Sequence, residues 1–280
     1  MSEVVGPKEA LAAVETATPL VNAITNDVTV NAVANVILHW GGLPVMSDDV
    51  REVEEMVAAS QACLLNMGTV SEAGEEAMVT AGRAASEHGA ALVVDPVGAG
   101  ATPTRSRVAE RLTTELAVDV IKGNRGEIAA LAGEHSDVRG VESTGEHAEI
   151  AETAMACARQ TDAVVVASGK TDVVATEEAA FEVDVGHSLM SDVVGTGCLL
   201  GGTLAAFCGA VDDPLSAALA GTVAFGLAGE AAAAGEYGDY AGPASYEIAF
   251  LDAVAGLDPT SLSNATDRIA RVPTAQAQHE

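Results

Sequence analysis

Along this chain, short apolar runs of strand length alternate with longer stretches whose apolar residues return at helical spacing. A short amphipathic helix spans 8–17. Pro19 breaks it, and Leu20-Val21-Asn22-Ala23-Ile24 reads as a strand ending in Thr25-Asn26. A helix from Val28 to Leu38 follows, with Val30, Val33, Ala34, Ile37 and Leu38 on one face, and Gly41-Gly42 ends it. After a short strand, Leu43-Pro44-Val45-Met46, Ser47 is placed to cap a helix whose first turns carry Asp48, Asp49 and Glu52. The alternation repeats as strand 62–66, helix 72–88, strand 91–95, helix 105–116, strand 118–122 and helices 125–132 and 146–160, then strand 163–167. Short strands near 171–176 and 180–185 form a hairpin around Thr176-Glu177-Glu178. The last third is helical, over 197–210, 215–234 and 243–256. Strands alternating with helices predict an α/β fold, with parallel strands and helices on both faces.

Composition sharpens this picture. Apolar residues make up 49% of the 280 positions but aromatics only 3%, so the core is expected to be built from Ala, Val, Leu and Ile. Nothing between 19 and 256 reads as a linker, which gives one domain over residues 1–272 and a polar, disordered tail over 273–280. The formal charge of −28, with Lys8, Lys122 and Lys170 the sole lysines, repels nucleic acid and anionic lipid and argues against either as a partner. Such self-repulsion is tolerable where salt screens charges to ~3 Å, near molar ionic strength, so a halophilic cytoplasm is expected. Cys63, Cys157, Cys198 and Cys208 show no C-x-x-C spacing, which disfavours a disulfide framework or a zinc site. There is no basic-then-apolar leader, and charges such as Asp192, Asp212 and Glu230 interrupt the late apolar segments, so a cytoplasmic protein without a membrane span is expected.

Candidate chemistry gathers at the strand ends. Asn22 to Asn26, Met46, Asn66 to Thr69, Asp95, Lys122 to Asn124 and Ser168-Gly169 all fall where a strand gives way to its helix, the edge at which open α/β sheets bind ligands. Gly195-Thr196-Gly197-Cys198 opens an apolar helix. Its glycines admit close backbone approach, and free N–H groups with the positive dipole end favour an anion, although such turns also serve merely to pack a helix on a sheet. Asp95, before Pro96-Val97-Gly98-Ala99-Gly100, reads either as a turn residue or as a carboxylate for hydrated Mg²⁺. Asn124 and Glu127 have the spacing of a capping box, and equally of further oxygens for that magnesium. Lys122 could meet a nucleotide phosphate. Met46 reads as core or as a pocket wall. His39, His88, His135 and His147 read as solvated, and His187 is notable only for preceding the glycine loop.

Pro19-Leu20-Val21-Asn22-Ala23-Ile24-Thr25-Asn26, Pro44-Val45-Met46-Ser47, Asp95 through Pro103, Lys122-Gly123-Asn124 with Glu127, and Gly195-Thr196-Gly197-Cys198 resemble the hydroxyethylthiazole kinases of thiamine salvage, over roughly 11–256. The resemblance implies a ribokinase-like three-layer αβα sandwich with a mostly parallel central sheet. It implies ATP-dependent, Mg²⁺-assisted phosphorylation of the hydroxyl of 4-methyl-5-(2-hydroxyethyl)thiazole by a homotrimer with active sites between subunits. By position it assigns Met46, Asn26, Gly68 and Gly195 to the thiazole alcohol. It assigns Lys122, Ser168 and Asn124 to ATP, Asp95 and Glu127 to magnesium, and Gly195, Thr196, Gly197 and Cys198 to the catalytic loop. Lys122 stands where the family usually has arginine, and Ser168 often reads threonine. Cys198 takes the place of the aspartate base of other ribokinase-like kinases. The competing readings are a hydroxymethylpyrimidine kinase, a dehydratase of hydrated nicotinamide cofactors, and a non-catalytic ATP-binding sensor.

Overall fold

A computed structural model describes residues 4–133 and 146–273 of the protein. In chain order the elements are α1 (Pro7–Ala17), β1 (Leu20–Ile24), α2 (Val30–His39), β2 (Leu43–Val45), α3 (Val53–Ala58), β3 (Ala62–Asn66), α4 (Glu72–His88), β4 (Ala91–Asp95), α5 (Pro103–Thr114) and β5 (Val120–Asn124). They continue as α6 (Arg125–Leu131), α7 (Glu146–Thr161), β6 (Val164–Ser168), β7 (Asp172–Ala175), β8 (Ala180–Val183), α8 (Thr196–Cys208), α9 (Pro214–Ala233), α10 (Pro243–Gly256) and β9 (Ile269–Arg271). Local chemistry sets many boundaries. Ser71 and Thr102 cap α4 and α5 with their hydroxyls, prolines begin α1, α5, α9 and α10, and Gly89 ends α4 in the left-handed region.

One sheet runs through the molecule in the order β2-β1-β3-β4-β5-β6-β7-β8-β9. It is parallel from β2 to β6 and antiparallel from β6 to β9. The strands alternate strictly. Val21, Leu64, Val93, Val120 and Val166 join one core cluster with α1, α2, α8, α9 and α10, while Cys63, Leu65, Val94, Ile121 and Val165 join a second with α3 to α7. The second cluster holds no aromatic residue, whereas the first sets Trp40, Phe207, Phe225, Tyr246 and Phe250 among its aliphatic side chains. The result is the expected three-layer αβα arrangement.

The structure corrects several local expectations. Ser47 does not cap α3. Its backbone N–H donates to Asn22 Oδ1 and its carbonyl accepts from Asn22 Nδ2, each at 3.2 Å, while its hydroxyl donates to Glu52, and the helix starts six residues later. Asn22 therefore lies inside β1 as a buried strap rather than at the rim. On α2 the buried face is Val33, Val36 and Ile37, and Leu38 is half exposed. Helix α9 is, contrary to expectation, long and apolar enough to cross a membrane, but 78% of its most apolar stretch is buried against neighbouring helices, as for a core helix. Strand β9, absent from the sequence reading, pairs antiparallel with β8. His135 and the tail after Pro273 lie outside the described residues.

Candidate active site

Strand register builds the site. Asn66 and Asp95 end β3 and β4 as direct partners, and Val94 pairs with Ile121, which sets Lys122 beside Asp95 on β5. By alternation these three side chains share the face of Leu64, Val93 and Val120, the face that α8 covers. Lys122 Nζ stands 3.3 Å from Asp95 Oδ1, with both side chains buried, and Asn66 Nδ2 donates to Asp95 Oδ2 at 2.7 Å. Past the end of β1, Asn26 Nδ2 donates to Asn66 Oδ1 at 3.0 Å and to Cys198 Sγ at 3.3 Å. Residues from four strand ends and one helix therefore form one continuous polar chain.

Helix α8 can lie this close because it presents glycine. A methyl on Gly197 would sit 3.0 Å from Lys122 Nζ, and one on Gly201, a turn later, 3.4 Å from Asp95 Oδ2. Gly195 precedes the helix at φ 89°, and a side chain there would meet the Thr29 methyl. No side chain caps this helix; the Thr196 N–H turns back to the Val193 carbonyl, and the N–H groups of Gly197 and Cys198 stand without a side-chain cap at the helix start. Thr196 faces away, its hydroxyl spent on the carbonyls of Met190 and Val193.

The electrostatics follow from burial. Asp95 is pushed up to about 6, chiefly by burial and further by the nearby Glu127 charge, against the pull of Lys122. Burial opposes the Lys122 ammonium, but Asp95 and then Glu127 overcome it and hold its pKa above the ordinary amine value. Near neutrality both groups are charged. Glu127 and Asn124 form the capping box of α6. Glu127 Oε2 accepts from Asn124 N and Oε1 from Gly98 N, each at 2.7 Å, so Glu127 ties the β4 loop to the β5 loop. Each carboxylate oxygen of Asp95 and Glu127 thus already accepts one internal bond, and among the described residues no cluster of three or more His, Cys, Asp or Glu could hold a metal. This donor set does not make an all-protein cage. What it could serve is a Mg²⁺ that keeps several waters and is held mainly by other groups, with Glu127, slightly exposed, nearer to solvent than the fully buried Asp95.

At the far side Ser168 ends β6, its hydroxyl donating to Gly123 O at 3.2 Å, and the following turn is held by Gly169 N donating to Asp172 at 2.9 Å. Burial pushes Asp172 up to about 6. Gly68 packs against the Asn26 side chain, where a methyl would come within 2.7 Å. Met46 follows the edge strand β2, half-buried against the core. The sequence-derived residues from Asn26 to Ser168 thus line one rim, with Met46 at its outer edge.

The profile of the hydroxyethylthiazole kinase family matches residues 11–260. A hydroxyethylthiazole kinase of Haloquadratum walsbyi is 72% identical over 257 residues, covering 91% of this chain and 89% of that protein. The chain belongs to the hydroxyethylthiazole kinase family. A solved structure of a hydroxyethylthiazole kinase protein from Pyrococcus horikoshii OT3 superposes with a TM-score of 0.83 at 34% identity, covering 95% of this chain and 99% of that one. A ribokinase-like superfamily protein from Enterococcus faecalis shares the fold alone, with a TM-score of 0.63 at 12% identity over 90% of this chain and 89% of the other.

Within this kinase framework, sequence reasoning missed three contributors. Asn66 was visible only as one of several rim residues, without its bridging bonds. Thr29 packs its methyl on Gly195, and its hydroxyl is buried without a hydrogen-bond partner among the described residues. Arg105 reaches back from α5 to the carbonyls of Met67, Val97 and Gly68 at 2.7–2.9 Å, clamping the loops after β3 and β4. The signal for Arg105 was an arginine in the first turn of a helix, where the dipole disfavours it.

Proposed function

We propose that this protein transfers the γ-phosphoryl group of ATP to the hydroxyl of 4-methyl-5-(2-hydroxyethyl)thiazole in thiamine salvage. The observation that carries the reading is the convergence of Asp95, Lys122 and Cys198 at the uncapped start of α8. Phosphoryl transfer asks little covalent help of a protein and much fixed positive potential. Lys122 and the α8 N–H groups supply that potential, while Asn124 and the Ser168-Gly169 turn hold the nucleotide. A hydrated Mg²⁺ at Asp95 and Glu127 would neutralise phosphate charge. Gly195 lets the acceptor hydroxyl approach beside Cys198, and Met46, Gly68 and Asn26 shape the thiazole pocket. The alcohol oxygen bonds to phosphorus as the bond to the β–γ bridging oxygen breaks, and the alcohol proton leaves late, to the Cys198 sulfur in its thiolate form or to a phosphoryl oxygen. Because the transition state is loose, Cys198→Ala is expected to keep measurable turnover, about tenfold down, and Cys198→Asp to match or exceed the wild type. Complete loss in the alanine variant with ATP binding intact would contradict the minor role given to the thiol.

ADP release measured with the thiazole alcohol, with hydroxymethylpyrimidine and with neither tests the reaction. Release that depends on the thiazole alcohol is expected. Preference for the pyrimidine would favour the rival kinase, and ATP binding without release a sensor.

A homotrimer belongs to the same reading. Its support is apolar surface on adjoining elements, namely Val30 and Leu38 on α2, Leu43 on edge strand β2 and Ile248 on α10. Sedimentation at the monomer mass of 28.1 kDa would oppose it. The −28 charge supports work in a salt-rich cytoplasm, and a Tm that does not rise with KCl would count against that.

A further inference from the structure

The polar chain between Asp95 and Cys198 has a fixed direction. Asn66 Oδ1 accepts from the backbone N–H of Gly68 at 3.0 Å, so its amide nitrogen must turn to Asp95, where it donates at 2.7 Å. Asn26 Oδ1 accepts from the backbone N–H groups of Val28 and Thr29, both at 3.1 Å, so its nitrogen must turn the other way. That nitrogen has two hydrogens, and each has a partner, Asn66 Oδ1 at 3.0 Å and Cys198 Sγ at 3.3 Å. Backbone donors therefore set both amide orientations. Asn26 has no hydrogen-bonding capacity left for a substrate, and both amides are at least nineteen-twentieths buried.

We infer that Asn66 is a positioning residue for this reaction, holding the Asn26 amide so that it donates to the Cys198 sulfur and thereby joining the Asp95–Lys122 pair to the thiol at the acceptor side. Two amides in series act as a rigid spacer between strands β3 and β1 and helix α8. The contact at the far end specifies the state of the sulfur. Because Sγ accepts from Asn26, the S–H hydrogen of a neutral thiol is turned off that direction and left for a group on the exposed side of Cys198, while a thiolate keeps a permanent donor. The Oδ1 of Asn26 is a pivot on the start of α2, and Asn66 stops the amide from swinging about it. On this view Asn26 bounds the thiazole pocket with Met46 and Gly68 by packing alone and serves the acceptor site through the thiol. The inference rests on the kinase reading for its consequence in turnover, but not for the geometry of the relay.

The test combines a double-mutant cycle with thiol chemistry on the full chain. Asn66→Leu keeps the branched shape and removes all three side-chain bonds, those with Asn26, Asp95 and the Gly68 N–H. It is expected to lower kcat about fivefold with KM for ATP within about twofold, and to lower kcat by less than about twofold when Cys198 is already alanine. Cys63, Cys157 and Cys208 are buried, so iodoacetamide reports on Cys198, whose modification is followed by peptide mass. Alkylation near neutral pH is expected to slow about threefold or more in Asn66→Leu, because the attacking sulfur loses the N–H donor that faces it. Asn66→Ser, which can still meet Asp95 but is too short to span to Asn26, is expected to slow it likewise and serves if the leucine variant does not fold. An equal loss of kcat in both backgrounds, or an unchanged alkylation rate, overturns the inference. The alkylation rate decides alone if Cys198→Ala turns over too slowly for the cycle. Absence of thiazole-dependent ADP release in the wild type would sink the kinase reading while leaving the alkylation result to judge the relay.

Discussion

Glu75 and Asp95 are both carboxylates with cationic partners, yet the fold treats them in opposite ways. Glu75 on α4 receives Arg107 through two bonds of 2.8 Å and Arg111 through one of 2.7 Å, and the Arg107 side chain remains 59% exposed. Its carboxyl is held down to about 2, first by the Arg107 hydrogen bond. Asp95 has one ammonium at 3.3 Å and one amide at 2.7 Å, no exposure at all, and a carboxyl pushed up by burial. The first arrangement leaves cations solvated and fully pairs the anion, which suits a rivet between two helices. The second buries both charges with loose pairing, which costs stability and, on the proposed function, leaves their field for an incoming phosphate. The contrast separates charge kept for structure from charge kept for chemistry.

The sharpest way to break that contrast is to remove the cation at the rim. Lys122→Met is expected to lower kcat/KM by about 10²–10³-fold if, as proposed, its preorganised charge stabilises the moving phosphoryl group. Steady-state kinetics check this, and a loss under about tenfold would move Lys122 to the structural class. Gly195→Ala comes next. It sets a methyl against Thr29 and requires a left-handed alanine, and is expected to cost about 10²-fold in kcat/KM by displacing the loop. Smaller and of the other kind, Glu75→Gln is expected to lower Tm by roughly 3–6 °C with turnover within about twofold.

The pH dependence of that last difference sharpens the comparison. Glu75 has a lower pKa folded than unfolded, so between the two values the unfolded chain binds more protons and stability rises with pH. Its contribution is complete above the ordinary value of about 4.3 and is lost as pH falls through about 2. The Tm gap between wild type and Glu75→Gln should therefore be constant above about pH 5 and close in strong acid, as calorimetry would register. Asp95 has the opposite sign. Its proton is bound more tightly in the folded state, so its ionisation weakens the fold as pH rises toward about 6, while on the proposed reaction turnover is expected to fall off below that pH.

Much of this was legible in the residues. Helix α4 and strands β1, β3 and β4 fall where periodicity and turn residues put them, and the rim residues were identifiable because parallel strands hand their last side chains to one edge. The rest was hidden for physical reasons. Ser47 has the side chain of a cap, but a buried Asn22 on the next strand competes for its backbone, and only register reveals that rivalry. Leu38 fits a helical stripe that is wider than the surface α2 buries. Strand β9 is three residues long and partly exposed, so it lacks the apolar alternation that marks the others. Asn66 has a role set by partners 40 and 29 positions away, a distance that no local pattern spans.

The most direct test of the central claim is ADP release dependent on 4-methyl-5-(2-hydroxyethyl)thiazole, compared among wild type, Asp95→Asn and Glu75→Gln at equal concentrations of folded protein. The account predicts release by wild type and Glu75→Gln at rates within about twofold, and a loss of about 10²-fold or more in Asp95→Asn. Turnover by Asp95→Asn at the wild-type rate, or release indifferent to the alcohol, would contradict it.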